Sequence, residues 1–134
     1  MTGNRRTFMV SSLMACVAGM FSFSAVAQGT LKIGEINSYK AQPAFLEPYK
    51  KGMELAVEQI NATGGLLGKK VELIVKDDTS APDVTKRIAQ EMVVNDKVNV
   101  LAGFGLTPLA LATAPIATQS KTPMVVMAAA TSSI

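Results

Sequence analysis

Residues 103–108, Gly103-Phe104-Gly105-Leu106-Thr107-Pro108, have the types and spacing of an anion seat. The two glycines let the backbone turn tightly and come close to a ligand. Thr107-Pro108 reads as a helix start, where free N–H groups attract a negative group such as a carboxylate. The Thr107 hydroxyl has two uses open to it, capping that helix or bonding a ligand. A second run, Ala128-Ala129-Ala130-Thr131-Ser132-Ser133, combines small residues that permit backbone contact with a hydroxyl at Thr131. On its residues alone it is equally an ordinary polar loop. Asp77-Asp78 is a paired acid, which can hold a divalent cation or move protons. The sequence has no histidine, and its one cysteine, Cys16, lies near the start. Histidine-based triads and zinc sites are therefore excluded, and no catalytic or metal-ligating set and no cofactor is expected.

These runs need a frame that brings them together, and the chain alternates strand with helix. Leu31 to Ile36 reads as a short apolar strand. Pro48 to Asn61 reads as a helix, with Pro48 in its first turn and Tyr49, Met53, Ala56, Val57 and Ile60 as its buried stripe. Asn61-Ala62-Thr63-Gly64-Gly65 ends it, and Val71 to Lys76 is strand two. Ser80 and Pro82 mark the next helix, whose apolar face is Val84, Ile88, Ala89, Met92 and Val93; Asn95-Asp96-Lys97 breaks the pattern. Val98 to Gly103 is strand three. A helix from Thr107 to about Gln119 follows, with a bend or restart expected at Pro115. Pro123 to Ala128 is strand four, and 129–134 is the loop after it. Strands separated by helices form a parallel sheet with right-handed crossovers. The expected fold is a doubly wound α/β lobe, helices on both faces, with its ligand site beyond the carboxyl ends of the strands. The loops there are Asn37 to Glu47, Gly103 to Pro108 and Ala128 to Ser133.

The first 27 residues have the layout of a secretory signal peptide: Arg5 and Arg6, an uncharged apolar run from Phe8 to Phe23, and Ala25-Val26-Ala27 before Gln28. Cleavage after Ala27 is expected, leaving 28–134 as one small domain's worth of exported chain. Asn4-Arg5-Arg6-Thr7-Phe8-Met9 resembles a twin-arginine motif, with plain n-region charge as the alternative. Leu13-Met14-Ala15-Cys16 resembles a lipobox, against which the apolar run continues past Cys16. There are thirteen Lys/Arg and ten Asp/Glu. Two of those basic residues are Arg5 and Arg6, so the remainder is close to neutral, without the basic patch of a nucleic-acid binder.

Residues 31–78, and "KGMELAVEQINATGGLLGKKVELIVKDD" within them, resemble the start of the periplasmic substrate-binding proteins for leucine, isoleucine and valine. The resemblance covers the whole mature chain. It implies a type I periplasmic binding protein lobe that captures a small ligand for the membrane permease of an ABC importer. It implies no enzyme activity, and a monomer for the full-length protein. In that family a Ser or Thr in the slot of Thr107 bonds the carboxylate of the bound amino acid. An "AAT" segment matching Ala129, Ala130 and Thr131 receives the carboxylate and amino groups. The paired acids are mainly structural, capping the following turn. Family members place a tyrosine in the loop after strand one, against the ligand side chain. Counting back from Gly52 puts Phe45 there, with Tyr39 out of register. Ser38-Tyr39-Lys40 replaces the common loop start, which opens the site to a larger or aromatic ligand.

Two other readings compete. The same lobe serves as the ligand-sensing part of receptors. A dinucleotide-binding enzyme lobe would use Gly103-Phe104-Gly105, but the third glycine of that fingerprint is missing and residues 123–126 offer no ribose-binding acid. Family members run on into a second lobe, whereas Ile134 falls after half of the groove. The expectation is therefore a fragmentary sequence or a shortened gene, weak or absent binding by this stretch alone, and an open sheet edge.

Overall fold

Leu31–Asn37 (β1), Val71–Asp77 (β2), Val100–Gly103 (β3) and Met124–Val126 (β4) form one sheet in the order β2-β1-β3-β4, all pairs parallel, in the computed structural model. The structure describes residues 29–133; the readings on Arg5, Arg6, Cys16 and Ala27 lie outside the described residues. Helix α1 (Pro43–Ala62) joins β1 to β2, α2 (Pro82–Glu91) leads from β2 across to β3, and α3 (Thr107–Ser120) joins β3 to β4. Chain direction changes between the first crossover and the next two. Right-handed connections therefore put α1 on one face and α2 with α3 on the other. The expected doubly wound frame is present.

The main core lies between the sheet and α2–α3. Ile36, Leu101 and Phe104 meet Ile88, Ala89, Met92, Ala110 and Ala117, and Met124 and Val126 pack against them. The period-2 alternation of β4 turns Val125 and Met127 the other way, where each is half exposed. That second face is only partly covered, since Leu46 is the one fully buried residue of α1.

Several boundaries differ from the sequence reading. Helix α1 begins at Pro43, not Pro48, so the loop after β1 is 38–42. Ala41 and Gln42 both donate to the Ser38 carbonyl and start the coil. Pro48 sits inside α1, where its missing N–H faces exposed Ala44, whose carbonyl can be hydrated instead. Ala56, expected in the buried stripe, is exposed, while Tyr49, Met53, Val57 and Ile60 are half-buried. Pro115 likewise lies within an unbroken α3, facing exposed Leu111. The break expected at Asn95 is a single π-helical turn, Met92–Asp96, closed by Lys97 in the left-handed conformation. Strand three starts two residues late, although Asn99 already exchanges bonds with Lys32 through its N–H and its side chain.

Asn61 has a larger role than ending a helix. Its amide donates to the Val71 carbonyl and accepts from the Val71 N–H, both at 2.8 Å, and so fastens α1 to the start of β2. Asn61→Ala should leave both backbone groups unpaired in a half-buried place. A loss of about 1–2 kcal/mol is expected in urea denaturation. A loss within error of zero would show that water replaces the side chain.

Candidate ligand site at the carboxyl edge of the sheet

The turn after β3 is shaped by what stands beside it. Gly103 has φ +110 and Phe104 φ 61, both left-handed, so the chain reverses in two residues. The cost of the Phe104 conformation, about 1–2 kcal/mol, is offset by its fully buried ring. Phe104 N–H donates to the Ile36 carbonyl at 2.9 Å, and Gly105 N–H to Asn37 Oδ1 at 3.0 Å. A Cβ on Gly105 would stand 2.7 Å from that same Asn37 oxygen. The close approach expected of the two glycines is thus made first to the end of β1.

Beyond Gly105 the backbone is free. Helix α3 begins with Leu106 as N-cap and no side-chain cap, so Thr107 is the first helical residue and not the cap. Among the described residues the N–H groups of Leu106 and Thr107 have no partner, whereas those of Leu109 and Ala110 bond to the Leu106 carbonyl. The N–H groups of Ala128, Ala129 and Ala130 likewise have none. Met127 N–H bonds the Gly103 carbonyl at 2.9 Å, which lays the start of the 128–131 loop beside the turn before α3. Thr107 and the Ala129-Ala130-Thr131 run therefore share one edge. Within that run, Ala129 packs its methyl on the core, Ala130 is exposed, and Thr131 Oγ1 accepts from Ser133 N–H at 3.1 Å. Phe45 stands on the first turn of α1, 60% exposed. One turn along, Tyr49 Oη donates to Met127 Sδ at 2.9 Å and ties α1 to the end of β4.

Below these loops lies a buried polar group that the sequence reading missed. Glu35 is fully buried. Tyr39 Oη donates to its Oε2 at 2.6 Å and Asn37 Nδ2 to its Oε1 at 3.1 Å. Burial pushes the Glu35 carboxyl up from 4.5 to about 7, against the lowering effect of those two bonds; Asp78 adds to the rise and Lys50 opposes it. Tyr39 is pushed far up by its own burial and by its bond to Glu35. Tyr49 is pushed up to about 12, by burial and then by Glu35. The signal was present in LKIGEIN, where Glu35 and Asn37, two apart in a strand, must share one face. Asp78 is the second buried acid. Its oxygens accept from Ser38 Oγ at 2.7 Å, Ser80 N–H at 3.0 Å and Thr85 Oγ1 at 3.1 Å. It ties the β1 loop to the start of α2, and Asp77 accepts from Thr79 N–H at 3.0 Å. The paired acids are turn fasteners. Among the described residues no cluster of three His, Cys, Asp or Glu side chains could hold a metal ion.

A groove of about 590 Å³ opens at the other end of β4, among Ala117, Lys121, Thr122 and Pro123. Ser133, at the far end of the 128–133 loop, also lines it, but none of Phe45, Thr107, Ala129, Ala130 and Thr131 does. Among the described residues no helix is long and apolar enough to cross a membrane.

Unfilled backbone donors thus gather at the carboxyl edge of a parallel α/β lobe, the place where this architecture holds its ligands. A periplasmic binding protein family model matches residues 30–133, and the chain belongs to that family. It is 37% identical over 126 residues to Leu/Ile/Val-binding protein homolog 6 of Brucella abortus, covering 92% of this chain and 32% of that protein. A solute binding protein of an ABC transporter from Rhodopseudomonas palustris BisB5, solved with 3,4-dihydroxybenzoic acid, is 49% identical. It superposes with a TM-score of 0.70 over 77% of this chain and 28% of its own. The branched-chain amino acid transporter substrate binding protein LivJ of Streptococcus pneumoniae, solved with isoleucine, is 28% identical. Its TM-score is 0.72 over 78% of this chain and 30% of its own. The chain thus spans about a third of the length of the curated relatives it matches. Its family is a class of transport proteins that bind solutes, and its fold is the type I one.

Proposed function

We propose that this chain supplies the first half of the ligand site of an ABC-importer solute receptor, which captures a small carboxylate in the periplasm and passes it to a membrane permease. The supporting observation is the pair of unfilled N–H groups at Leu106 and Thr107, at the positive end of a fourteen-residue helix, beside the free backbone of 128–130. Thr107 and the Ala129-Ala130-Thr131 run receive the carboxylate, and Phe45 stands toward the rest of the ligand. Export by a leader cleaved after Ala27 is part of the same reading. The ligand class preferred is an aromatic carboxylate of the hydroxybenzoate kind. The 49% identical relative holds such a molecule, and Ser38-Tyr39-Lys40 departs from the loop start usual among amino-acid receptors. A branched-chain amino acid is the second reading, favoured by the Brucella relative's name and by the isoleucine in LivJ.

Calorimetric titration of the full-length protein from its native host with 3,4-dihydroxybenzoate and with L-isoleucine separates the two. Thr107→Val keeps the shape of the side chain and removes its hydroxyl. Loss of one hydrogen bond to a charged group should weaken binding roughly ten-fold or more, with the melting temperature unchanged. Unchanged affinity for the acid that binds would remove Thr107 from the site, and binding of neither acid would refute the carboxylate reading.

A further inference from the structure

Glu35 is a fully buried carboxyl set directly under the turn that carries the proposed anion seat. Its Oε1 lies 2.7 Å from where a Cβ of Gly103 would stand. Asn37 links the two layers, because its amide nitrogen donates to Glu35 while its oxygen accepts from the N–H of Gly105 at 3.0 Å and of Ser38 at 3.2 Å. A ligand anion on the Leu106 and Thr107 N–H groups would sit one or two residues beyond that Gly105 bond. We propose that Asn37 and Glu35 are positioning residues of the anion seat, and that a ligand anion is held most tightly when Glu35 carries its proton. This inference rests on the carboxylate-capture reading.

The surroundings of Glu35 make the coupling directional. Tyr39 comes from the loop after β1, Asp78 from just beyond β2, and Lys50 and Tyr49 from α1. Of these only Lys50 favours the ionised form by its charge, and it makes no short contact with Glu35; its ion pair is with Glu54 at 3.7 Å. A protonated Glu35 can donate to Tyr39 Oη while still accepting from Asn37, so the bond pattern survives protonation with one hydrogen reversed. An incoming anion adds a second negative charge above this buried carboxyl. A like charge about 10 Å away, at an effective dielectric of about 20, raises an acid by about one unit. Binding should therefore draw a proton onto Glu35.

The test is calorimetric titration of the full-length protein with 3,4-dihydroxybenzoate, or with L-isoleucine if that is the acid bound, at pH 6, 7 and 8. With Glu35 near 7, affinity for the benzoate should fall about five-fold from pH 6 to 8, and affinity for isoleucine, whose ammonium offsets part of the charge, should fall in the same direction by less. Glu35→Gln, which mimics the protonated acid, should flatten that profile while still binding. A merely structural role would lower affinity at every pH and leave the slope, and that result would overturn the proposal. Should Glu35→Gln fail to fold, the unmodified protein gives the answer in two buffers of different ionisation heat. Uptake of about half a proton per ligand at pH 7.5 is expected, and no uptake would overturn it. Binding of neither acid would retract the capture reading and this inference with it, whereas binding with a flat profile retracts this inference alone.

Discussion

Gly103→Ala is expected to cost about 4 kcal/mol, enough to remove a large share of a typical domain's stability. The first contribution is conformational, because φ +110 is a backbone state that alanine rarely adopts. The second is steric and larger. The new methyl would be driven into the Ile36 carbonyl oxygen and within 2.7 Å of Glu35 Oε1. Neither neighbour can yield, since that carbonyl accepts the Phe104 N–H and the carboxylate is pinned by Tyr39 and Asn37. Relief requires β1 and β3 to part at their carboxyl ends, where the candidate ligand loops begin. Urea denaturation of the full-length protein should show the loss, and affinity should fall with it. Gly52→Ala is the internal control. Gly52 lies within α1 and a Cβ there meets nothing within 4 Å. That change should raise stability by about 0.5–1 kcal/mol through helix propensity alone. Equal effects at the two glycines would refute the steric account of Gly103.

The frame was legible because it rests on periodicities. Apolar runs of about six residues between amphipathic helices leave few topologies once hairpins are excluded. Gly-Phe-Gly and Ala-Ala-Ala-Thr were legible as loops because small residues and a proline mark them. The start of α1 was not. Pro48 is a good first-turn residue, but so is Pro43, and the choice was made by the Ser38 carbonyl accepting from Ala41 and Gln42, contacts invisible in sequence. The support of the site was missed for a different reason. Glu35 and Asn37 are polar residues in an apolar strand, and sequence cannot say whether such residues face water or each other. The bond from Gly105 N–H to Asn37, 68 positions apart, follows only once β1 and β3 are side by side. The paired acids show the converse. Asp78 holds Ser38, Ser80 and Thr85 together, so a motif that could have been chemistry is a fastener.

A buried acid under the site carries a stability signature independent of any ligand. The Glu35 carboxyl is raised from 4.5 to about 7 in the folded chain, so between those values the folded state binds a proton that the unfolded state has released. Stability must therefore fall as pH rises through that window, and the loss is complete once pH exceeds the folded value. A shift of that size corresponds to about 3 kcal/mol. Ordinary surface carboxylates titrate in the lower part of the same window, so the test is a difference between two proteins. Glu35→Gln keeps the shape and an acceptor for Asn37, and its amide can donate to Tyr39 Oη. At pH 5 the variant and the parent should be similar in denaturant midpoint. At pH 8 the variant should be the more stable by about 2–3 kcal/mol, because only the parent must hold an ionised carboxylate away from water. A stability difference that does not change between pH 5 and 8 would show that Glu35 does not titrate there, and the proton-linked binding would lose its physical basis. If the difference grows as expected, the parent sequence keeps an acid that a neutral isostere would outperform at high pH. The proposed role in how the Gly105–Thr107 turn meets an anion would account for keeping it.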